Sequence, residues 1–187
     1  MLDDTRRWLE RAVIGLNLCP FAKAVYVKDQ VHLRVSPARD AADFLQDLTA
    51  ELQALNAAKP EVRDTTLLIA PDCLHDFLDF NDFLAHADDA LRALDLEGVL
   101  QIASFHPQYQ FTGTAPDDIT NFTNRAPYPT LHLLRESSID RAVAVFPAPE
   151  AIFQTNMTTL EKLGQAGWNA LAVGATLASP ETPQSKP

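Results

Sequence analysis

Hydrophobic and polar positions alternate with two different periods along this chain, and the switches between them mark out its elements. Residues 3–16 keep helical spacing: Trp8, Leu9, Ala12, Val13 and Leu16 form one apolar stripe, and Asp3, Asp4 and Thr5 offer N-terminal caps. Pro20 cannot continue that helix, so the segment NLCPF (residues 17–21) ends it. Residues 23–27 and 31–35 then read as two strands joined by the polar turn Lys28-Asp29-Gln30. Val31, Leu33 and Val35 alternate with His32 and Arg34, which predicts one wet face. A second helix opens at Ser36-Pro37, carries Phe44, Leu45, Leu48, Leu52 and Leu55 at helical spacing, and stops at Lys59-Pro60. The continuous apolar run TTLLIA (65–70) predicts a buried strand. A third helix follows Pro71-Asp72, with Phe77, Phe80, Leu84, Ala87, Leu91 and Leu94 as its inner face and Gly98 as terminator. Residues 99–105 form a further strand.

Two strand–helix–strand units in succession imply parallel pairing with right-handed crossovers, which leaves the first strand as an antiparallel edge. The expected fold class is α/β: a small mixed sheet of about four strands, helices packed on it, and a helical C-terminal part. A ferredoxin-like α+β sandwich is the alternative. The later helices are predicted at 129–136, 138–146 and 156–163, the last capped by Asn156 and closed by Gly164. Residues 1–165 read as one globular domain. Residues 166–187 form a C-terminal segment, polar and Pro-rich from Gly174 on, with disorder expected from about 175.

Composition narrows the function classes. With 187 residues, 47% apolar and 21% charged, the chain can build a real core as a soluble domain. A net charge of −10 argues against a general nucleic-acid binder. Charges from the third residue onward do not suit a signal peptide, and no run reaches the roughly 18 apolar residues of a membrane span, so a cytoplasmic protein away from membranes is expected. Cys19 and Cys73 form no CxxC pair and are expected as reduced thiols.

Candidate chemistry concentrates in residues 104–136, SFHPQYQFTGTAPDDITNFTNRAPYPTLHLLRE. His106 precedes Pro107, which biases it toward extended backbone at the carboxyl end of a strand, where open α/β sheets bind ligands. About twenty residues without periodicity follow, and their aromatic content predicts an ordered loop on the sheet edge. Asp117, Asp118, Asn121 and Asn124 can tie such a loop by capping turns. Arg125 and Arg135 are candidate anion readers, because a guanidinium presents a planar fork to carboxylate or phosphate. His132 and Glu136, four apart on the predicted helix, would share a face, so Glu136 could orient the imidazole. The candidate catalytic set is His106, His132, Asp118 and Glu136. The candidate binding set is Arg125, Arg135, Tyr109, Asn121, Asn124 and Tyr128, with Asn17 and Cys19 from the earlier segment. His106, His132 and Asp117 or Asp118 could supply metal ligands, but HExxH and close His-x-His spacing are missing; neither metal nor cofactor is expected.

Three segments together, NLCPFA (17–22), FHPQYQF (105–111) and PDDITNFTNRAPYPTLHLLRE (116–136), resemble a bacterial family filed as domain of unknown function 1415. The likeness covers roughly residues 1–165. The family pattern often has Ala at 112 and Ser at 126, where this chain has Thr112 and Ala126, so a hydroxyl at 126 is not essential. The resemblance implies a shared fold and site and transfers no catalytic role. Three functions compete: an enzyme acting on a small anionic metabolite, a non-catalytic ligand-binding or regulatory module using the same pocket, and an interaction protein whose motif is only a structural loop. The last predicts that His106 and His132 point apart and that the loop's polar groups pair internally.

Overall fold

The structure is a computed structural model and describes residues 1–144 and 151–176. Its centre is a four-stranded sheet of β1 (Val31–Val35), β2 (Thr65–Ile69), β3 (Leu100–Phe105) and β4 (Thr130–Arg135), in the order β1-β2-β4-β3. β1 and β2 are parallel, while β4 runs antiparallel to both β2 and β3. The mixed four-strand sheet with packed helices is as expected. Its membership differs at two places. The helix predicted at 129–136 is replaced by β4 (Thr130–Arg135), because that segment hydrogen-bonds to β2 and β3 on both sides. Residues 23–27 form no strand: helix α2 (Ala22–Tyr26) is closed locally by Val27 N–H to Lys23 O and ended by Asp29 at φ 56.

The remaining helices are α1 (Leu2–Trp8), α3 (Ala41–Ala57), α4 (Phe77–Ala93), α5 (Glu136–Ala144) and α6 (Ala151–Ala170). The last residues of the helix predicted at 138–146 lie outside the described residues. α1 runs directly into a π-helical stretch, Leu9–Ile14. Its expected N-terminal caps are absent, because Asp4 faces inward: its carboxylate accepts from Tyr128 Oη (2.7 Å), Thr176 N (3.0 Å) and Arg7 Nη2 (2.5 Å). α3 begins at Ala41 with Asp40 as cap, later than Ser36-Pro37, since the Ser36 hydroxyl forms a turn with Ala38 N–H. Asn156 lies inside α6 and donates to Leu18 O (2.8 Å) instead of capping. Gly164, at φ 64, does break the helix, which resumes after the kink. The packed unit extends past 165: Trp168 and Val173 are buried, and Thr176 is bound to Asp4.

Two cores lie on opposite faces of the sheet, set by the strands' period of two. Leu68, Leu131, Leu133 and Leu100 face α3 and α4, whose inner residues include Phe44, Leu48, Leu52 and Phe80. Leu67, Val31, Leu33 and Phe105 face Trp8, Val13, Leu18, Leu160 and Trp168. Trp8 meets Phe105 edge-on at 5.3 Å, and Trp168 meets Phe122 at 4.9 Å.

Candidate functional site

The polar groups of the central loop are turned on the loop itself. Asp118 caps a short 3-10 helix (Ile119–Asn124) by accepting from Thr120 N (2.9 Å) and Oγ1 (2.7 Å), and these bonds hold its carboxyl below the usual range. Buried Asn121 accepts from Phe111 N (2.9 Å) and Thr114 Oγ1 (2.8 Å) and donates to Ala115 O (2.8 Å). Asn124 donates to Ser104 O (3.3 Å). Tyr109 packs its ring against Phe77 and Phe111. Arg125 lies over the Phe122 ring at 4.3 Å and donates to the Tyr109 and Pro116 carbonyls. Tyr128 is a strut to Asp4; burial and that hydrogen bond push its phenol up to about 12. Asn17 occupies a left-handed turn at φ 55 on the surface.

The two histidines do not meet. Phe105 pairs with Thr130 and Ala103 with His132, so His132 shares a sheet face with Ala103 and Phe105, and His106 belongs to the opposite one. His106 is fully buried between Phe77 (5.4 Å) and Phe80 (5.1 Å) on the α4 side. One ring nitrogen accepts from Gln108 N–H (3.0 Å); the other therefore carries the proton and donates to Leu74 O (3.1 Å). Burial pulls its pKa down, so it is a neutral core residue that pins two loops. Glu136 cannot orient His132. On a strand, four positions span about 13 Å, and Glu136 instead opens α5. Arg135 is buried and donates through Nη2 to the carbonyls of Leu55, Ala58 (2.6 Å) and Arg63 (3.2 Å), closing the C-terminal end of α3. The expected anion clamp thus serves main-chain carbonyls. Among the described residues no three His, Cys, Asp or Glu side chains gather as a metal site, and His106 and His132 lie on opposite faces.

His132 and Cys19 do share a space. A cavity of about 670 Å³ lies over β1, β2 and β4, beneath the π-helical stretch, the NLCPFA turn, α2 and α5. Its walls include Trp8, Val13, Phe21, Val25, Val31, Leu67, Phe105, Leu134 and Ile139, with Lys28, Glu61, Asp64 and Arg141 among its charged lining residues. Sequence logic explains the walls. Val31, Leu67 and Leu134 are the cavity-side members of an alternating pattern, and α5 leaves none of its residues buried because its Ile139 and Ala142 look onto empty space. On the sheet floor His132 Nε2 lies 2.6 Å from Thr65 Oγ1, and Thr65 Oγ1 also donates to Leu133 O (2.6 Å). Desolvation alone lowers the His132 pKa to about 4. Burial raises the Cys19 thiol, opposed in part by the backbone N–H groups of Phe21 and Ala22. The cavity's aromatic wall, Thr65 and α5 were outside the expected site. Their signals were the NLCPFA segment and the two threonines that open the apolar run of β2.

These features define an α/β domain built around a mixed sheet, with one face closed by helices and the other holding a largely apolar cavity. The chain matches the family described as Protein of unknown function (DUF1415) over residues 1–170, and it belongs to that family. No curated protein and no solved structure matches it. No helix among the described residues is long and apolar enough to cross a membrane.

Proposed function

We propose that the protein is a non-catalytic binding module that takes a small, largely apolar molecule into the cavity over β1, β2 and β4. The observation that carries this is the cavity itself: about 670 Å³, walled mainly by aliphatic and aromatic side chains, with Thr65, His132 and Ser138 among its polar groups and Lys28, Glu61, Asp64 and Arg141 among its charged ones. Ligand pockets run from about 300 to 1,000 Å³ and share that pattern. The chemistry of the lining favours binding over catalysis. His132 is paired with a threonine hydroxyl rather than a carboxylate, and its lowered pKa makes it a weak base. Cys19, with its raised pKa, is a poor nucleophile. A small-molecule partner remains the proposal, but the apolar lining favours an uncharged body over the anion expected from the sequence.

Titration with the neutral apolar fluorophore N-phenyl-1-naphthylamine tests this. Saturable emission enhancement at one site is expected, and Ala142→Trp, which puts an indole beside the cavity, should abolish it while the circular dichroism spectrum stays the same. If the wild type gives no saturable signal, or if Ala142→Trp binds as well as wild type, the proposal fails.

A further inference from the structure

We infer that the ligand presents a neutral hydrogen-bond donor, an O–H or N–H, to His132 Nδ1 at the floor of the cavity; this rests on the binding reading above. A threonine hydroxyl has one proton, and Thr65 directs it to Leu133 O (2.6 Å). The contact between Thr65 Oγ1 and His132 Nε2 (2.6 Å) then needs its proton from the imidazole. That fixes the tautomer: Nε2 carries the hydrogen and Nδ1 keeps a bare lone pair. Among the described residues Nδ1 has no hydrogen-bond partner, and it is not among the sealed-off unsatisfied atoms. The ring lies on the cavity wall and is half-buried, so Nδ1 is an acceptor open to whatever enters.

The same chain of bonds excludes other head groups. A ligand acceptor placed against a bare lone pair gains nothing, and an anion would meet repulsion. An anion seated against Nδ1 would require a second proton on the ring, which desolvation disfavours. The ligand class is therefore a phenol, an alcohol or an N–H heterocycle with an apolar body. Leaving a buried acceptor unmatched has a real cost, so discrimination should be large for one group.

Matched probes separate the donor from the body. Isothermal titration with 4-propylphenol and 4-propylanisole compares two molecules that differ in the O–H alone. The phenol should bind about tenfold more tightly than its methyl ether. In His132→Phe and His132→Leu that ratio should fall to about one, with ether affinity retained. As a readout that does not depend on those variants folding, the ¹⁵N resonance of His132 Nδ1 should move on adding phenol and stay in place with the ether. Equal affinity of the pair for wild type overturns the inference and leaves the cavity reading intact. Tighter binding of 4-propylbenzoate than of the phenol also overturns it. Failure of every probe to bind removes both.

Discussion

The two faces of the sheet use the same kinds of residue to different ends. On the α3/α4 side the inward-facing side chains pack together, and Phe44, Leu48, Phe80, Leu131 and Leu133 are sealed from solvent. On the other side Trp8, Phe105, Phe122 and Trp168 seal part of the face, and the rest stays open as the cavity. One face is thus built for stability. The other gives up some packing and keeps a space that a second molecule can fill.

Substitutions can break this contrast. The largest effect is expected for Leu133→Ala, which opens a void in the sealed face and should cost about 2–5 kcal/mol. Its neighbour Leu134→Ala already borders empty space and should cost about 1 kcal/mol or less. Urea melts of the two proteins measure the difference, and equal losses would mean that the cavity side is as tightly packed as the other.

The next effect is the pH dependence contributed by His132. Its folded pKa, about 4, lies below the ordinary 6.5, so the unfolded chain takes up the proton first as pH falls. His132 costs no stability above pH 6.5, and the loss grows down to about 4, reaching about 3 kcal/mol. The wild type minus His132→Phe difference in unfolding free energy between pH 7 and pH 4 should show that slope. A flat difference would mean that the cavity floor does not oppose a second proton on the ring.

Arg135→Met is expected to cost about 1–3 kcal/mol by leaving the carbonyls at the end of α3 unpaired. It should leave fluorophore binding unchanged, because Arg135 belongs to the sealed side. The smallest effect is kinetic: Cys19 should react with iodoacetamide more slowly than a free thiol at pH 8, since burial raises its pKa. Reaction as fast as a free thiol would mean a wetter cavity than the lining implies.

How much of this was readable in the sequence follows the range of the forces involved. The inner faces of α3 and α4 are written in their own 3.6-residue spacing, and β2 in its unbroken apolar run, so both were legible. β4 was not. Leu131, Leu133 and Leu134 are compatible with a helix, and only pairing to β2 and β3, distant in the chain, makes the segment a strand. α2 was missed for the converse reason: the β-branched Val25 and Val27 suggest a strand, but a local turn and left-handed Asp29 decide otherwise. The candidate site depended on both errors. Whether His106 and His132 converge is a matter of strand parity, and one residue of register puts them back to back. Cys19 and His132 were named as candidates, yet their common cavity requires α2 and β4 to be assigned correctly.

The π-helical stretch before the NLCPFA turn carries one more implication. Each residue advances an α-helix by about 100°, so a wound segment with wider turns resets the azimuth of everything that leaves it. Deleting a single residue between Leu9 and Ile14 would let the segment relax to ordinary α-helix, in which one residue fewer sweeps nearly the same angle, so the Cys19 turn would keep its azimuth. Such a shortened chain should keep its roof, and loss of fluorophore binding on the deletion would mean that the wider turns themselves shape the cavity.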